Sequence, residues 1–130
     1  MNQPTFESIA VIGAGTMGSG IAAQIANAGH HVLLLDLDAK DSSSKAPAAA
    51  ALDRLLASDP PQLMHKSYVD RITPGIIDED FDKLAGCDWI IEAVVERLDI
   101  KKALYSRLHD TISADCIVSS NTSTIPIRLL

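Results

Sequence analysis

Short, wholly apolar runs alternate along this chain with longer stretches in which apolar residues recur every three or four positions. Ile9-Ala10-Val11-Ile12 is the first such run, ended by Gly13, and it suits a strand buried on both faces. From Thr16 the spacing changes. Met17, Ile21, Ile25 and Ala28 recur at three or four, the period of a helix, and Gly29 stands where a left-handed C-terminal cap is wanted. Val32 to Leu35 form a second apolar run, closed by the acid Asp36. The pattern predicts strand, helix and strand in sequence, which is a βαβ unit.

The same alternation continues downstream. The segment SSSKAPAAAALDRLLASDPP has the composition of a linker, but Pro47 suits a first helical turn and Ala48 to Ala51 are strong helix formers. Leu52, Leu55 and Leu56 add an apolar stripe before Pro60 and Pro61, so a helix is predicted. Val69 to Thr73 reads as a short strand ending at a Pro74-Gly75 turn, and Asp78 as the cap of a short helix through Leu84. His65 and Lys66, in the loop before that strand, read as surface side chains. Trp89 to Ile91 is a further strand, closed by Glu92. Ile100, Ala103, Leu104, Leu108 and Ile112 mark an amphipathic helix, and Cys116 to Val118 the next strand. Strands alternating with helices imply a mainly parallel, doubly wound α/β sheet with right-handed crossovers, whose ligands bind outside the C-terminal strand ends. The length supports one domain, 1–130.

Composition narrows the function. With 11 Lys+Arg against 17 Asp+Glu the formal charge is −6, and no basic block is available to meet a nucleic acid or an anionic membrane. Between Glu7 and Asp36 no charged residue occurs, a span long enough for a bilayer, but five glycines and the polar Gln24, Asn27, His30 and His31 break it up. Neither a transmembrane helix nor, from Met1 to Ser8, a signal peptide is expected. Cys87 and Cys116 are far apart and form no metal-ligand spacing. A reducing, cytoplasmic setting is therefore expected.

The first turn carries the chemistry. Gly13-Ala14-Gly15-Thr16-Met17-Gly18 is GxGxxG, following a strand and opening a helix. Gly13 permits the tight turn, Gly15 lets the backbone approach a diphosphate, and Gly18 lets helix and strand pack closely. The helix N-terminus supplies amides and dipole to an anion, so an acidic chain needs no lysine there. Asp36 ends the next strand, where such folds place the carboxylate that accepts the ribose hydroxyls; it repels a 2′-phosphate, and Leu37 offers no cation. The reading is a Rossmann-type fold that binds NAD rather than NADP. Two further polar groups belong to the same sheet edge: Glu92-Ala93-Val94-Val95-Glu96 and Ser119-Ser120-Asn121-Thr122-Ser123. On the residues alone Lys101, beside Lys102, reads as a solvated lysine on a helix face, Glu96 as an acid at a helix start, and Glu92 as structural.

GAGTMGSGIA, the Asp36 strand end, DWIIEAVVE and SSNTS together resemble the NAD-binding domain of the 3-hydroxyacyl-CoA dehydrogenases over nearly the whole chain. LMHKS, RITPG and VVERLDIK are most similar to the long bacterial fatty-acid-oxidation proteins with a fused hydratase-like region. The resemblance implies that Gly13 to Gly18 hold the pyrophosphate and Asp36 the adenosine ribose. It adds Glu96, Lys101 and Asn121 near the nicotinamide half, and Ser123 as a cofactor-side hydroxyl that hydrogen-bonds the substrate oxygen. The family's base is a histidine in an HFFNP-like segment downstream of SNTS, paired with a later glutamate. His30, His31, His65 and His109 belong to no such motif. The expectation is an N-terminal piece of an enzyme that oxidises an L-3-hydroxyacyl-CoA, able to bind NAD but not to turn over alone. Its acyl-CoA substrate would be met in the full-length enzyme, and a homodimer, where one forms, through the missing helical domain. A non-catalytic NAD-binding module and another NAD-linked hydroxyacid dehydrogenase are the alternatives.

Overall fold

The computed structural model describes residues 6–130, so the reading of Met1 to Ser8 lies mostly outside the described residues. Strands β1 (Ile9–Ile12), β2 (Val32–Asp36), β3 (Ile72–Ile76), β4 (Trp89–Glu92) and β5 (Ile117–Ser120) alternate with helices α1 (Thr16–Asn27), α2 (Pro47–Ala57), α3 (Ile77–Asp80) and α4 (Leu98–Thr111). All neighbouring strands are parallel, in the order β3-β2-β1-β4-β5. The order reverses direction between β1 and β4. That reversal is the switch point of a Rossmann-like doubly wound sheet, where the two strand ends part and leave a crevice.

Side chains alternate across the pleat, which splits the core into two layers. Ile9, Val11, Leu34 and Ile91 pack with Ala22, Ala23, Ala26, Ala51 and Leu55 beneath α1 and α2. Ala10, Ile12, Leu35 and Ile90 pack with Leu84, Leu104 and Leu108 on the opposite face, beneath α4. Burial on both faces explains why the central strands read as unbroken apolar runs.

Four details of the sequence reading change. The buried face of α1 is Gly18, Ser19, Ala22, Ala23 and Ala26, a stripe of small residues that brings the helix close to the sheet. The larger Ile21 and Ile25 instead border an open apolar groove of about 810 Å³ with Phe6, Trp89 and Ile91, while Met17 is exposed. In α4 the core positions are Lys101, Leu104 and Leu108, and Ile100 and Ala103 face a cleft. Pro74 and Gly75 are not a turn: they lie inside β3, paired with Leu34 and Leu35, and Val69 to Arg71 form part of a 3-10 turn. Proline is tolerated because β3 is an edge strand. Finally, the short helix is a single turn followed by a 3-10 segment, Phe81–Gly86, and Asp78 does not cap it. Asp80 turns back to accept the Ile76 amide at 2.9 Å, while Asp78 pairs with Arg107.

Among the described residues no helix is long and apolar enough to cross a membrane. No group of His, Cys, Asp and Glu among them could hold a metal ion. Cys87 and Cys116 are free thiols, and burial pushes both above the ordinary thiol range.

Candidate cofactor site

At the switch point β1 runs into the glycine turn. Gly13 has φ of +107°, left-handed backbone that disfavours a side chain, and its amide donates to the Leu35 carbonyl at 2.7 Å. A Cβ there would lie 2.4 Å from the Ala93 carbonyl oxygen, and one on Gly18 only 1.7 Å from that of Gly13. These two glycines are required by packing within the protein. Gly15 differs, since a Cβ there would meet nothing within 4 Å. Its open face adjoins the first turn of α1, which has no side-chain cap and no acidic residue. Amides and the positive end of the dipole are thus available to an anion.

Asp36, the last residue of β2, reaches back across the turn. Its Oδ2 accepts the Ala14 amide and its Oδ1 the Leu37 amide, both at 2.6 Å. A carboxylate has about four acceptor sites, so two stay free for hydroxyls. On the other side of the turn the Arg54 guanidinium donates to the Ala14 carbonyl at 2.9 Å, an anchor from α2 that no sequence motif announced.

The β4–β5 edge is built differently, from ions. Glu92, at the end of β4, and Lys101, one turn into α4, are both almost fully buried. The Lys101 ammonium lies 3.2 Å from Glu92 and 2.7 Å from Glu96. Burial opposes its charge, but hydrogen bonds and attraction from Glu96 and Glu92 outweigh this and raise its pKa. Glu96 is held down to about 2, first by the Lys101 ammonium and then by the Ser123 amide and Thr122 hydroxyl. That amide donates at 2.9 Å and that hydroxyl at 2.8 Å, so Glu96 ties α4 to the loop after β5. Glu92 also accepts from Val94 N–H at 2.9 Å, Ser120 Oγ at 2.6 Å and Tyr105 OH at 3.4 Å. Burial, with the Glu92 charge adding to it, pushes the Tyr105 phenol up to about 12.

Between these two constructions lies a cleft of about 700 Å³. Gly13, Gly15, Thr16, Met17, Asp36 and Asn121 line it together. Ala14 and Gly18 are buried behind the turn. Glu96, Lys101 and Ser123 form the adjoining network rather than the lining, and the Asn121 amide donates to the Glu92 carbonyl at 2.8 Å. Ile77, Val95, Ile100 and Ala103 supply an apolar wall that sequence reasoning missed as such. Ile100 and Ala103 fit the apolar stripe of their helix by spacing, but that stripe is wider than the two core leucines need. The residues present suit a dinucleotide: uncapped amides for a diphosphate, an acceptor carboxylate for a ribose, and apolar surface for a base.

Residues 8–130 match the family described as "3-hydroxyacyl-CoA dehydrogenase, NAD binding domain". A Rickettsia felis protein named as a fatty acid oxidation complex trifunctional enzyme is 42% identical over 129 residues, 98% of this chain and 18% of the relative. A Deinococcus radiodurans protein named as a 3-hydroxyacyl-CoA dehydrogenase is 41% identical over 121 residues, 92% of this chain and 35% of the relative. The crystal structure of 3-hydroxybutyryl-CoA dehydrogenase from Escherichia coli K12 superposes with a TM-score of 0.79 at 33% identity, covering 97% of this chain and 26% of that one. The chain thus spans 18% to 35% of the length of these three relatives.

Proposed function

The chain belongs to the 3-hydroxyacyl-CoA dehydrogenase family as its NAD-binding domain, and from that premise we propose that it holds the cofactor for oxidation of an L-3-hydroxyacyl-CoA to the 3-ketoacyl-CoA in fatty-acid β-oxidation. The observation that carries this reading is the carboxylate of Asp36 locked against the glycine turn, 2.6 Å from the Ala14 amide. It sets a ribose acceptor beside a diphosphate cradle.

Gly13 to Gly18 hold the pyrophosphate on the first-turn amides, and Asp36 accepts the adenosine ribose hydroxyls. Asn121, with Glu96 and Lys101 behind it, positions the nicotinamide half, and the Ser123 hydroxyl donates to the substrate oxygen. NAD, when bound, supplies the hydride acceptor. The substrate hydroxyl must also lose a proton. The chain covers 18% and 35% of two of its relatives, and the proton transfer is proposed to be supplied by the rest of the complete enzyme. The acyl-CoA is met by the complete enzyme, and any dimer forms there too. Two free thiols support a cytoplasmic setting, and a formal charge of −6 supports a small-molecule rather than a nucleic-acid partner.

The test is a titration of the purified chain with NADH and, separately, NADPH, read by energy transfer from Trp89, the only tryptophan. NADH should bind saturably and NADPH far more weakly. Asp36→Ala should lose charge-assisted hydrogen bonds of about 1.5–3 kcal/mol, roughly 10- to 100-fold in NADH affinity. Acetoacetyl-CoA reduction by the chain alone should stay at background. Unchanged NADH affinity in Asp36→Ala would remove the ribose assignment, and turnover would show that a base is present in this chain.

A further inference from the structure

Glu92, read from the sequence as a structural acid, is the most heavily used side chain of the network. Its two oxygens accept from Val94 N–H, Lys101 Nζ, Ser120 Oγ and Tyr105 OH. Its own carbonyl accepts the Asn121 amide. Val94 and Asn121 both line the cleft, so one residue at the end of β4 fixes the two segments that form this side of it. Every group that meets the carboxylate can donate, an arrangement that suits the ionised, acceptor-only form.

The charges do not cancel. Two carboxylates, Glu92 and Glu96, share one ammonium, Lys101, leaving a net charge of −1. The neighbouring cations are exposed or engaged elsewhere: Arg97 pairs with Asp99 at 2.9 Å, Lys102 is exposed, and Arg107, which lines the cleft, pairs with Asp78 at 3.1 Å. Glu92 and Lys101 are almost fully buried while Glu96 is one-third exposed, so the Glu92 charge acts through a medium of lower dielectric than water and that of Glu96 is partly screened.

The strand order says what that charge faces. With the ribose carboxylate at the end of β2 and the diphosphate cradle at the end of β1, a dinucleotide laid across β3-β2-β1-β4-β5 puts its second half over β4 and β5. For NAD that half is the nicotinamide ring, which is cationic when oxidised and neutral when reduced. Resting on the cofactor assignment above, we propose that Glu92 is a positioning residue whose buried charge biases the cleft toward the oxidised form of the cofactor.

Calorimetric titration of the full chain with NAD and with NADH tests this through the ratio of the two dissociation constants. Glu92→Gln keeps the shape of the side chain but brings the cluster to neutrality. The ratio should move toward NADH on the order of tenfold, the scale of one unit charge acting across part of a protein interior. Glu92→Asp keeps the charge with a shorter reach, so both affinities should weaken while the ratio returns toward that of the unmodified chain. Glu96→Gln removes the same unit of charge and should shift the ratio in the same direction as Glu92→Gln. Should Glu92→Gln fail to fold by circular dichroism, the Asp and Glu96 variants carry the comparison. Equal weakening of both forms in Glu92→Gln, or an unmoved ratio in Glu96→Gln, would overturn the bias and leave Glu92 a scaffold residue. If the unmodified chain binds neither form, the cofactor assignment itself fails.

Discussion

The two sides of the cleft solve one problem with different materials. The β1–α1–β2 side works with backbone: a glycine in left-handed conformation, a helix whose first-turn amides carry no side-chain cap, and one carboxylate bonded to two main-chain amides. The β4–α4–β5 side works with buried ions, whose members depend on one another for their charge states and positions. Backbone recognition fails locally, where one glycine acquires a side chain. A buried ion network fails as a unit, because removing any member leaves the others without compensation. The first side should therefore show mutations that affect binding without folding, and the second should not.

The largest effect is expected on the ionic side. Lys101→Met keeps the bulk but leaves Glu92 buried without its counter-ion, a change that typically costs about 3–5 kcal/mol. That is a large part of the roughly 5–15 kcal/mol available to a domain. Urea denaturation should show the loss, and the double variant Lys101→Met, Glu92→Gln should recover much of it. Additive losses in the double variant would mean that the two side chains act separately.

On the backbone side, two glycines three residues apart should part company. Gly18→Ala forces a Cβ into the Gly13 carbonyl, and overpacking of this kind typically costs about 1–3 kcal/mol, occasionally more. Gly15→Ala meets nothing in the protein and should keep the thermal midpoint within a few degrees. Its methyl projects into the space where a diphosphate would approach, so NADH affinity should still fall, on the order of tenfold or more. A Gly15→Ala chain that binds NADH normally would move the diphosphate elsewhere in the cleft.

This contrast also decides what could be read from sequence. GxGxxG and Asp36 were legible because their reasons are steric and local, carried by residue type and a fixed spacing in one βαβ unit. The strands were legible for a related reason, burial on both faces. The ionic side was not legible from the residues alone, and only the family resemblance singled out Glu96 and Lys101. Nothing in the composition separates Lys101 from Lys102, one nearly fully buried and the other exposed. The only local hint is that Lys101, Leu104 and Leu108 recur at three and four, which sets a lysine in the core stripe. Glu92 reads as a strand-end acid until β5 and α4 close around it. The apolar residues of α1 misled in the opposite sense, since the face that packs best against a sheet is the one with the smallest side chains.

The mildest expected effect lies at the exposed margin of the ionic side. Glu96 is one-third exposed, so its contribution to stability is reduced by solvent screening. The Lys101 ammonium, the Ser123 amide and the Thr122 hydroxyl hold its pKa at about 2 against an ordinary 4.5. A folded-state pKa below the unfolded one gives stabilisation that is complete above about 4.5 and is lost as pH falls toward 2. The gap in thermal midpoint between the unmodified chain and Glu96→Gln should therefore be widest near neutrality and narrow across that acidic window. High salt should shrink it at neutral pH. A gap that stayed constant with pH would mean that Glu96 holds the loop after β5 through shape alone, and the margin of the ionic side would then behave like the backbone side opposite it.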